Sequence, residues 1–90
     1  MPFITYPNKI EYEQDGKVLA ENTFPALDET TVNIDHTFVD DVLRGQGVAG
    51  RLMELTVQEL EKTGRKAVVT CSYAKKWMEK YPEQAEKVKR

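Results

Sequence analysis

Three glycines and one arginine stand within the seven residues RGQGVAG at positions 44–50, although the whole chain has only five glycines. Glycine permits a positive φ angle and lets another molecule approach the backbone amides. The segment precedes a predicted helix, whose first amides have no partner within the helix and whose dipole is positive at that end. The pattern favours an anion such as phosphate, held by these amides and by Arg44. A plain turn that changes the direction of the chain is the alternative.

Residues 45–50, GQGVAG, also match the GxGxxG pattern of dinucleotide-binding folds. That pattern requires a strand directly before the first glycine and an acidic residue about 20 positions later. Here DDVLR separates Gly45 from the preceding predicted strand, and RKAVVTC at 65–71 contains no acid. The dinucleotide hypothesis therefore fails in this context.

Two side chains that occur once each, His36 and Cys71, are the next candidates for chemistry. The unperturbed histidine pKa of about 6.5 suits proton transfer, so His36 is a candidate general base. A core histidine bonded to a backbone carbonyl is the alternative. Cys71 is a candidate nucleophile or acid, with a small buried hydrophobe as its structural alternative.

Composition limits the class of protein to which these residues belong. Residues 1–90 fit one domain, and a formal net charge of −2 argues against a nucleic-acid partner. One cysteine cannot form an intramolecular disulfide, and no metal-ligand spacing occurs, which favours a reducing cytoplasm. No run approaches the roughly 18 apolar residues that span a bilayer, so we expect no membrane partner.

The first half of the chain predicts three antiparallel strands. Alternation in KIEYEQ (9–14) and KVLAEN (17–22), joined by Asp15-Gly16, predicts a hairpin with a two-residue turn. TVNIDHTFV (31–39) predicts a third strand. One face of that strand is expected to carry Val32, Ile34, His36 and Phe38.

The second half changes to a helical period. Apolar residues at spacings of three and four predict a helix over 48–63, which Gly64 can end. The β-branched run KAVVTC predicts a strand over 66–71 that is buried on both faces and lies centrally beside strand 31–39. The residues after it, with Pro82, predict one or two short helices. The order of elements predicts an α+β fold.

A second motif fits the glycine segment better than GxGxxG does. Arg44, Gly47 and Ala49 fill the pattern Gln/Arg, two residues, Gly, one residue, Gly/Ala, between a strand and a long helix. With GRKAVVTCSYAKKWMEKYPE after it, the second half of the chain resembles the GNAT superfamily of N-acetyltransferases, and most closely its very small branch. The resemblance implies a mixed sheet, with an antiparallel N-terminal meander followed by strand, helix, strand and helix.

The resemblance implies that acetyl-coenzyme A lies in a V-shaped gap between strand 31–39 and strand 66–71. Its pyrophosphate would then meet the backbone amides at the start of the long helix. The residues expected to bind it there are Arg44, Gly45, Gln46, Gly47, Val48 and Ala49.

Backbone groups freed by the splayed strands would pair with the amides of the pantetheine arm, as a short extra strand would. The candidates are the backbones of Phe38, Val39 and Asp41, and an amide freed there would also donate to the oxyanion of the reaction. Lys75 and Lys76 are expected to reach the ribose phosphate, with a solvated helix face as the alternative.

The resemblance also implies roles in chemistry. His36 would lie close to the thioester, and Cys71 would lie opposite it at the end of the second splayed strand. Tyr73 resembles the tyrosine that many relatives use to protonate the departing thiolate.

The loop NTFPALDE (22–29) is too short to supply the helices that larger relatives insert, so the acceptor groove is expected to be open. It would take an amine on a small molecule or a polypeptide, with Asp35, Asp40 and Asp41 able to attract the cation. We therefore expect an N-acetyltransferase that uses acetyl-coenzyme A. A non-catalytic coenzyme A-binding module is the alternative, and the oligomeric state is left open.

Overall fold

The computed structural model describes residues 2–90. Strands, helices and one 3-10 turn at Asp41–Leu43 alternate along this part of the chain. Their bounds are β1 (Phe3–Tyr6), β2 (Lys9–Gln14), β3 (Lys17–Thr23), β4 (Thr31–Ile34), β5 (His36–Val39), α1 (Val48–Thr63), β6 (Lys66–Val69), α2 (Ser72–Lys80) and α3 (Pro82–Val88). Among these residues, no helix has the length and apolarity needed to cross a membrane.

The strands form a four-stranded antiparallel sheet and a two-stranded parallel sheet, which agrees with the α+β prediction. The antiparallel sheet has the order β1-β2-β3-β5, and β4 pairs with β6 in parallel. The hairpin between β2 and β3 is confirmed: Asp15 and Gly16 have φ angles of 53° and 76°, the two positive values of a type I′ turn. β1 was not predicted, because this strand has only four residues and most of them are exposed.

The predicted strand 31–39 is interrupted at Asp35, which belongs to neither β4 nor β5. The backbone amide of Asp35 donates to the Thr23 carbonyl at 3.3 Å, and its carboxylate accepts from the Thr23 hydroxyl. One extra residue shifts the alternation of side chains, as a β-bulge does. Ile34 is buried, whereas His36 and Phe38 are exposed. The prediction that they share one face is wrong.

The parallel pair opens after its last residues. Ile34 and Val69 are partners in the β4–β6 register, and the amides of Thr70 and Cys71 both donate to the Ile34 carbonyl at 3.1 Å. Beyond that point, among residues 2–90, β5 pairs with β3 alone. A gap therefore lies between the free edge of β5 and the chain at Cys71, where the V-shaped gap was expected.

The predicted strand 66–71 lies beside β4, as expected, but its predicted end, its central position and its burial on both faces are wrong. It ends at Val69, and on its second edge it makes only a single bridge, between Ala67 and Lys89, so it is not central. Ala67 is buried, but Lys66 is exposed and Val68 is only partly buried. The reason is that α2 and α3 follow β6, so no further strand covers its second edge within residues 2–90.

Helix α1 has the predicted bounds and packs on β2, β3 and β5. It ends at Gly64, whose φ angle is 69° and whose amide donates to the carbonyls of Leu60 and Glu61. Its apolar side packs into one core with residues from the sheet and the other two helices. The fully buried side chains include Ile10, Phe24, Val32, Ile34, Leu52, Met53, Val57, Leu60 and Val88.

The opposite side of the four-stranded sheet is named the outer face here. Within residues 2–90 no helix covers it, and its large apolar side chains are 37–41 % exposed. The registers of β1, β2, β3 and β5 place on it Ile4, Tyr6, Lys9, Glu11, Glu13, Val18, Glu21, Thr23, His36 and Phe38.

Candidate functional site

The glycine segment forms a tight turn from the 3-10 helix into α1. Asp40 caps the 3-10 helix by accepting from the Val42 amide at 3.0 Å. Gly45 and Gly47 then take φ angles of 80° and 72°. A Cβ at either position would meet nothing within 4 Å, so these glycines are required by backbone conformation and not by crowding.

Within the described part of the chain, the first amides of α1 have no hydrogen-bond partner. Gly47 occupies the N-cap position without a side-chain cap, and its carbonyl accepts the first helical hydrogen bond, from the Arg51 amide at 3.1 Å. Within residues 2–90 no acceptor bonds the amides of Gly47, Val48 or Ala49. Unpaired amides at the positive end of a 16-residue helix favour an anion.

Three connected cavities meet at Gly47 and Gly50, and together they are named the glycine groove. The first, about 240 Å³, lies beside the turn and brings together Val39, Leu43, Arg44, Gly45, Val48, Ala49 and Tyr73. The second, about 320 Å³, runs along α2 and is lined by Tyr73, Lys76, Trp77, Lys80 and Tyr81. The third, about 300 Å³, adds Arg51, Glu54 and Gln84.

Four predicted binding residues line none of the three cavities of the glycine groove: Phe38, Asp41, Gln46 and Lys75. Lys75 lines none of its cavities, unlike its neighbour Lys76. Gln46 lines a different and larger cavity of about 530 Å³ beside the β2–β3 hairpin, which shares only Leu43 with the first cavity. The Gln46 side chain donates to the Val42 carbonyl at 3.3 Å. The geometry therefore selects Lys76 over Lys75.

Arg44 forms a salt bridge with Asp41, with Nε 2.9 Å from Oδ1. Both side chains are more than three-quarters exposed, so the pair contributes little to stability. The guanidinium can therefore turn towards a phosphate at small cost. Both Asp41 and Arg44 lie at the turn where the sequence predicted binding.

Cys71 occupies the N-cap position of α2, at the open end of the parallel pair. Its Sγ lies 3.5 Å from the Thr37 hydroxyl on β5. Partial burial acts to raise the pKa of the thiol, but its hydrogen bond with Thr37 and the amides of Ala74 and Tyr73 outweigh burial, so the pKa lies below its ordinary value. A thiol with a lowered pKa at a helix start is suited to nucleophilic chemistry.

His36 lies on the outer face at the start of β5. Its ring makes no hydrogen bond within residues 2–90, and the residue is exposed, so the alternative of a buried core histidine is wrong. The residue that reaches across the gap to Cys71 is Thr37, not His36. A role for His36 as a base stays a prediction.

Tyr73 stands on the first turn of α2, with its phenol in the first cavity of the glycine groove. A methyl group at Gly50 would lie 3.9 Å from this phenol and 3.8 Å from the Trp77 indole nitrogen. Burial, followed by the neighbouring Tyr81 and Cys71, raises the pKa of Tyr73. The phenol stays protonated at neutral pH and can donate a proton.

Three polar residues behind Cys71 were missed by the sequence analysis. The Thr37 hydroxyl donates to Asn22 Oδ1 at 2.7 Å, and Asn22 Nδ2 donates to the Thr56 hydroxyl at 2.7 Å. Asn22 and Thr56 are fully buried. The sequence carried a signal for two of these residues. Asn22 lies two positions after Ala20 and therefore on the same, inward side of β3, and Thr56 lies on the apolar stripe of α1.

The family model for GCN5-related N-acetyl-transferases matches residues 9–88. The NMR solution structure of a GCN5-like N-acetyltransferase candidate from Staphylococcus aureus is 32 % identical to the chain. Its TM-score is 0.77, and the match covers 98 % of this chain and 86 % of that one. A search of curated proteins found no match.

Larger solved structures share the fold. The ribosomal-protein-S18-alanine N-acetyltransferase of Escherichia coli is 20 % identical, with a TM-score of 0.65 over 88 % of this chain and 51 % of that one. A GNAT family acetyltransferase from Elizabethkingia anophelis, with acetyl-CoA bound, is 16 % identical, with a TM-score of 0.61 over 83 % of this chain and 50 % of that one. The chain spans about half the length of these two proteins.

The family match and the architecture agree. The family model covers all elements from β2 to α3, including the glycine turn and the splayed strands. The relative at 32 % identity extends the match over nearly the whole chain. The chain belongs to the GCN5-related N-acetyltransferase family.

Proposed function

We propose that this chain binds acetyl-coenzyme A in the gap between β5 and Cys71 and transfers the acetyl group to an amine. The observation that carries the proposal is the set of unpaired amides at the start of α1, which open onto the glycine groove beside the splayed strands. An anion-binding helix start next to a free strand edge suits a ligand with a diphosphate and a chain of amides.

The diphosphate contacts the amides of Gly47, Val48 and Ala49, and Arg44 leaves Asp41 to join it. The pantetheine arm lies along the free edge of β5, where Phe38 and Val39 offer backbone groups and Asp41 follows. Such pairing satisfies polar groups that the sheet leaves unbonded. Val39 of β5 and Tyr73 of α2 already line one cavity of about 240 Å³ at the end of this edge.

The ribose phosphate lies in the second cavity of the glycine groove, between Lys76 and Lys80. The Lys80 ammonium lies 5.5 Å from the centre of the Tyr81 ring, and both side chains line this cavity. Tyr81 is 43 % exposed, whereas its neighbour Trp77 is buried. Trp77 therefore anchors α2 to α1, and Tyr81 is free to contact a ligand.

Acetyl-coenzyme A supplies the acetyl group as a thioester. A backbone amide at the freed edge of β5 donates to the oxyanion, a contribution often worth about 3 kcal/mol. Tyr73 donates its phenolic proton to the leaving thiolate. His36, at the outer-face side of β5, accepts a proton from the ammonium group of the acceptor, and the neutral amine then attacks the thioester carbon.

Cys71 distinguishes two routes. In the direct route the amine attacks the thioester carbon, the C–S bond breaks and Cys71 only shapes the gap. In the covalent route the Cys71 sulfur attacks first, takes the acetyl group and later yields it to the amine. The lowered pKa of Cys71 favours the covalent route.

The test of the covalent route is intact-mass analysis after incubation with acetyl-coenzyme A and no amine. We expect the mass of one added acetyl group on the parent chain and none on Cys71→Ala, with turnover lost in that variant. An unmodified parent chain, together with a Cys71→Ala variant that keeps its turnover, establishes the direct route.

A binding module that lacks turnover is the second candidate. The observation in its favour is the uncovered outer face, which gives an acceptor no enclosing walls. Calorimetry with acetyl-coenzyme A, coenzyme A and a nicotinamide dinucleotide, followed by thiol release with a panel of amines, separates the candidates. We expect acetyl-coenzyme A binding and thiol release. Binding of acetyl-coenzyme A without thiol release on any amine favours the binding module. Preference for the nicotinamide dinucleotide contradicts both candidate functions.

A further inference from the structure

We propose that the outer face of the sheet docks a cationic polypeptide segment and that this segment presents the amine to be acetylated. The inference rests on the proposed function for its last step only. Docking itself depends on the charges and side chains of the outer face, which lie outside the glycine groove.

Two rows of side chains cross the outer face from β1 to β5. The registers align one residue from each of β1, β2, β3 and β5 in each row. The first row is Ile4, Glu11, Glu21 and Phe38, and the second is Tyr6, Lys9, Thr23 and His36.

The first row sets two carboxylates directly opposite each other, Glu11 on β2 and Glu21 on β3. Like charges in this position destabilise a sheet. Glu13 and Asp35 add two more carboxylates to the same side, through contacts with Tyr6 and Thr23 respectively. Lys9 is the one ammonium group on this face within the described residues, so four carboxylates against one ammonium leave three negative charges uncompensated.

Lys9 demonstrates how the outer face binds a lysine. Its Nζ lies 2.8 Å from Glu11 Oε2 and 5.1 Å from the centre of the Tyr6 ring. The hydrogen bond with Lys9 lowers the pKa of Glu11, so the carboxylate stays charged although the side chain is only 7 % exposed. One carboxylate and one aromatic ring together hold an ammonium group at this point.

The first row also has a carboxylate beside an aromatic ring, but it contains no lysine. Glu21 and Phe38 are partners across β3 and β5, as a carboxylate beside an aromatic ring, and Phe38 is 40 % exposed. Within residues 2–90 no side chain bonds the Glu21 carboxylate. A lysine from another polypeptide can place its ammonium on Glu21 and its aliphatic stem on Phe38, as long cationic side chains do on mixed surfaces.

The Glu21–Phe38 pair lies next to the proposed site of transfer. Phe38 and His36 belong to β5, whose free edge borders the gap that ends at Cys71. Neighbouring strands are about 4.8 Å apart, so an amine one or two residues from the docked lysine reaches the gap. Docking on the outer face therefore delivers an amine from the side opposite α1.

The experiment is an NMR titration of the full chain, without coenzyme A, using an acetylated and amidated tetralysine peptide. A matched tetraglutamate peptide and spermine are the comparison ligands. We expect tetralysine to shift the backbone amides of β2, β3 and β5, to bind more weakly at high salt, and to bind better than either comparison ligand.

Matched variants assign the binding to the outer face. Glu21→Gln is expected to weaken tetralysine binding about three- to fivefold, as the loss of one exposed ion pair does. Glu61→Gln removes the same charge from an exposed position on α1 and is expected to leave binding unchanged. Equal weakening by both variants, shifts confined to other surfaces, or preference for spermine overturns the proposal.

A kinetic arm separates docking from the proposed function. With tetralysine as acceptor, Glu21→Gln is expected to raise KM for the peptide and leave acetyl-coenzyme A binding unchanged. Peptide binding without any turnover contradicts the proposed function and leaves docking standing. Turnover that is indifferent to Glu21→Gln overturns the docking proposal alone.

Discussion

At the scale of single residues, Cys71 is the end of a hydrogen-bonded chain that crosses the core. Thr37, Asn22 and Thr56 continue it to the carbonyl of Leu52 on α1, which accepts from the Thr56 hydroxyl at 2.8 Å. Each hydroxyl has one hydrogen, and Thr37 gives its hydrogen to Asn22. Its oxygen accepts from the Cys71 thiol at 3.5 Å and fixes the position of the sulfur at the gap; when Cys71 ionises, the hydroxyl can turn its hydrogen to the thiolate, which is the contact that lowers the pKa.

Replacing Thr37 with valine tests this chain. Thr37→Val removes a hydrogen bond that lowers the pKa of Cys71, so alkylation of the thiol by iodoacetamide is expected to need a higher pH. It also leaves the buried Asn22 carbonyl oxygen without a donor, which costs about 1–3 kcal/mol in the free energy of unfolding. Thr37→Ser keeps the hydroxyl and should restore both values. A pH profile of alkylation unchanged in Thr37→Val contradicts the assignment.

At the scale of elements, helix α1 is bounded by two glycines in the same backbone conformation. Gly47 at its start and Gly64 at its end have φ angles of 72° and 69°, and a Cβ at either position would meet no atom within 4 Å. Only Gly47 lines the glycine groove. This symmetry provides a matched pair of substitutions that separates helix stability from ligand binding.

Alanine at either glycine strains the left-handed backbone by roughly 1–2 kcal/mol. Gly47→Ala also places a methyl group in the glycine groove and disturbs the unpaired amides, so acetyl-coenzyme A binding is expected to fall about tenfold or more, a loss of at least ~1.4 kcal/mol. Gly64→Ala is expected to lower thermal stability equally and leave binding unchanged. Calorimetry and thermal melts measure both. Equal binding by the two variants argues against diphosphate at this turn.

Helix α2 offers a second matched pair on neighbouring residues. Lys76 lines the second cavity of the glycine groove and Lys75 does not, although both are exposed. Lys76→Ala is expected to weaken coenzyme A binding about three- to fivefold, with a smaller difference at high salt, because the contact is exposed. Lys75→Ala is expected to bind as the parent chain does. The reverse order of effects places the ribose phosphate on another side of α2.

The elements also show what the sequence predicts and what it does not. The β2–β3 hairpin and helix α1 were predicted because their signals are local: Asp15-Gly16 fits one turn type, and the helical period ends at Gly64. The break at Asp35 was not, because it depends on contacts with Thr23 on a strand distant in sequence. The side on which His36 lies follows from that break. The glycine turn was predicted, whereas the partner of Cys71 required the fold.

At the scale of the whole molecule, the two sides of the four-stranded sheet differ in chemistry. The inner side packs on α1 and holds the core, while the outer face gathers carboxylates around Glu11. Glu11 has a lowered pKa through its bond to Lys9. The same carboxylates that are proposed to attract a cationic partner therefore also link the stability of the fold to pH.

Acid titration measures this link. Because the pKa of Glu11 is lower in the folded chain than the unfolded value of about 4.3, its contribution to stability is present above that pH and is lost as pH falls through the folded pKa. We expect the melting temperature of the parent chain to fall below about pH 5, and Glu11→Gln to show a shallower fall. The melting temperature of Glu61→Gln is expected to depend on pH as that of the parent chain does. A profile for Glu11→Gln as steep as that of the parent contradicts the prediction.

The second edge of β6 has one further consequence, for solution behaviour. Near the carboxyl terminus, Val88 is buried, Lys89 bridges Ala67, and the Lys66 ammonium donates to the Lys87 carbonyl at 3.2 Å. These few contacts shield main-chain donors and acceptors that would otherwise recruit another molecule. A variant that lacks residues 87–90 is expected to self-associate as its concentration rises, because the second edge of β6 is then exposed. Sedimentation velocity would detect this, and the parent chain is expected not to pair at this edge.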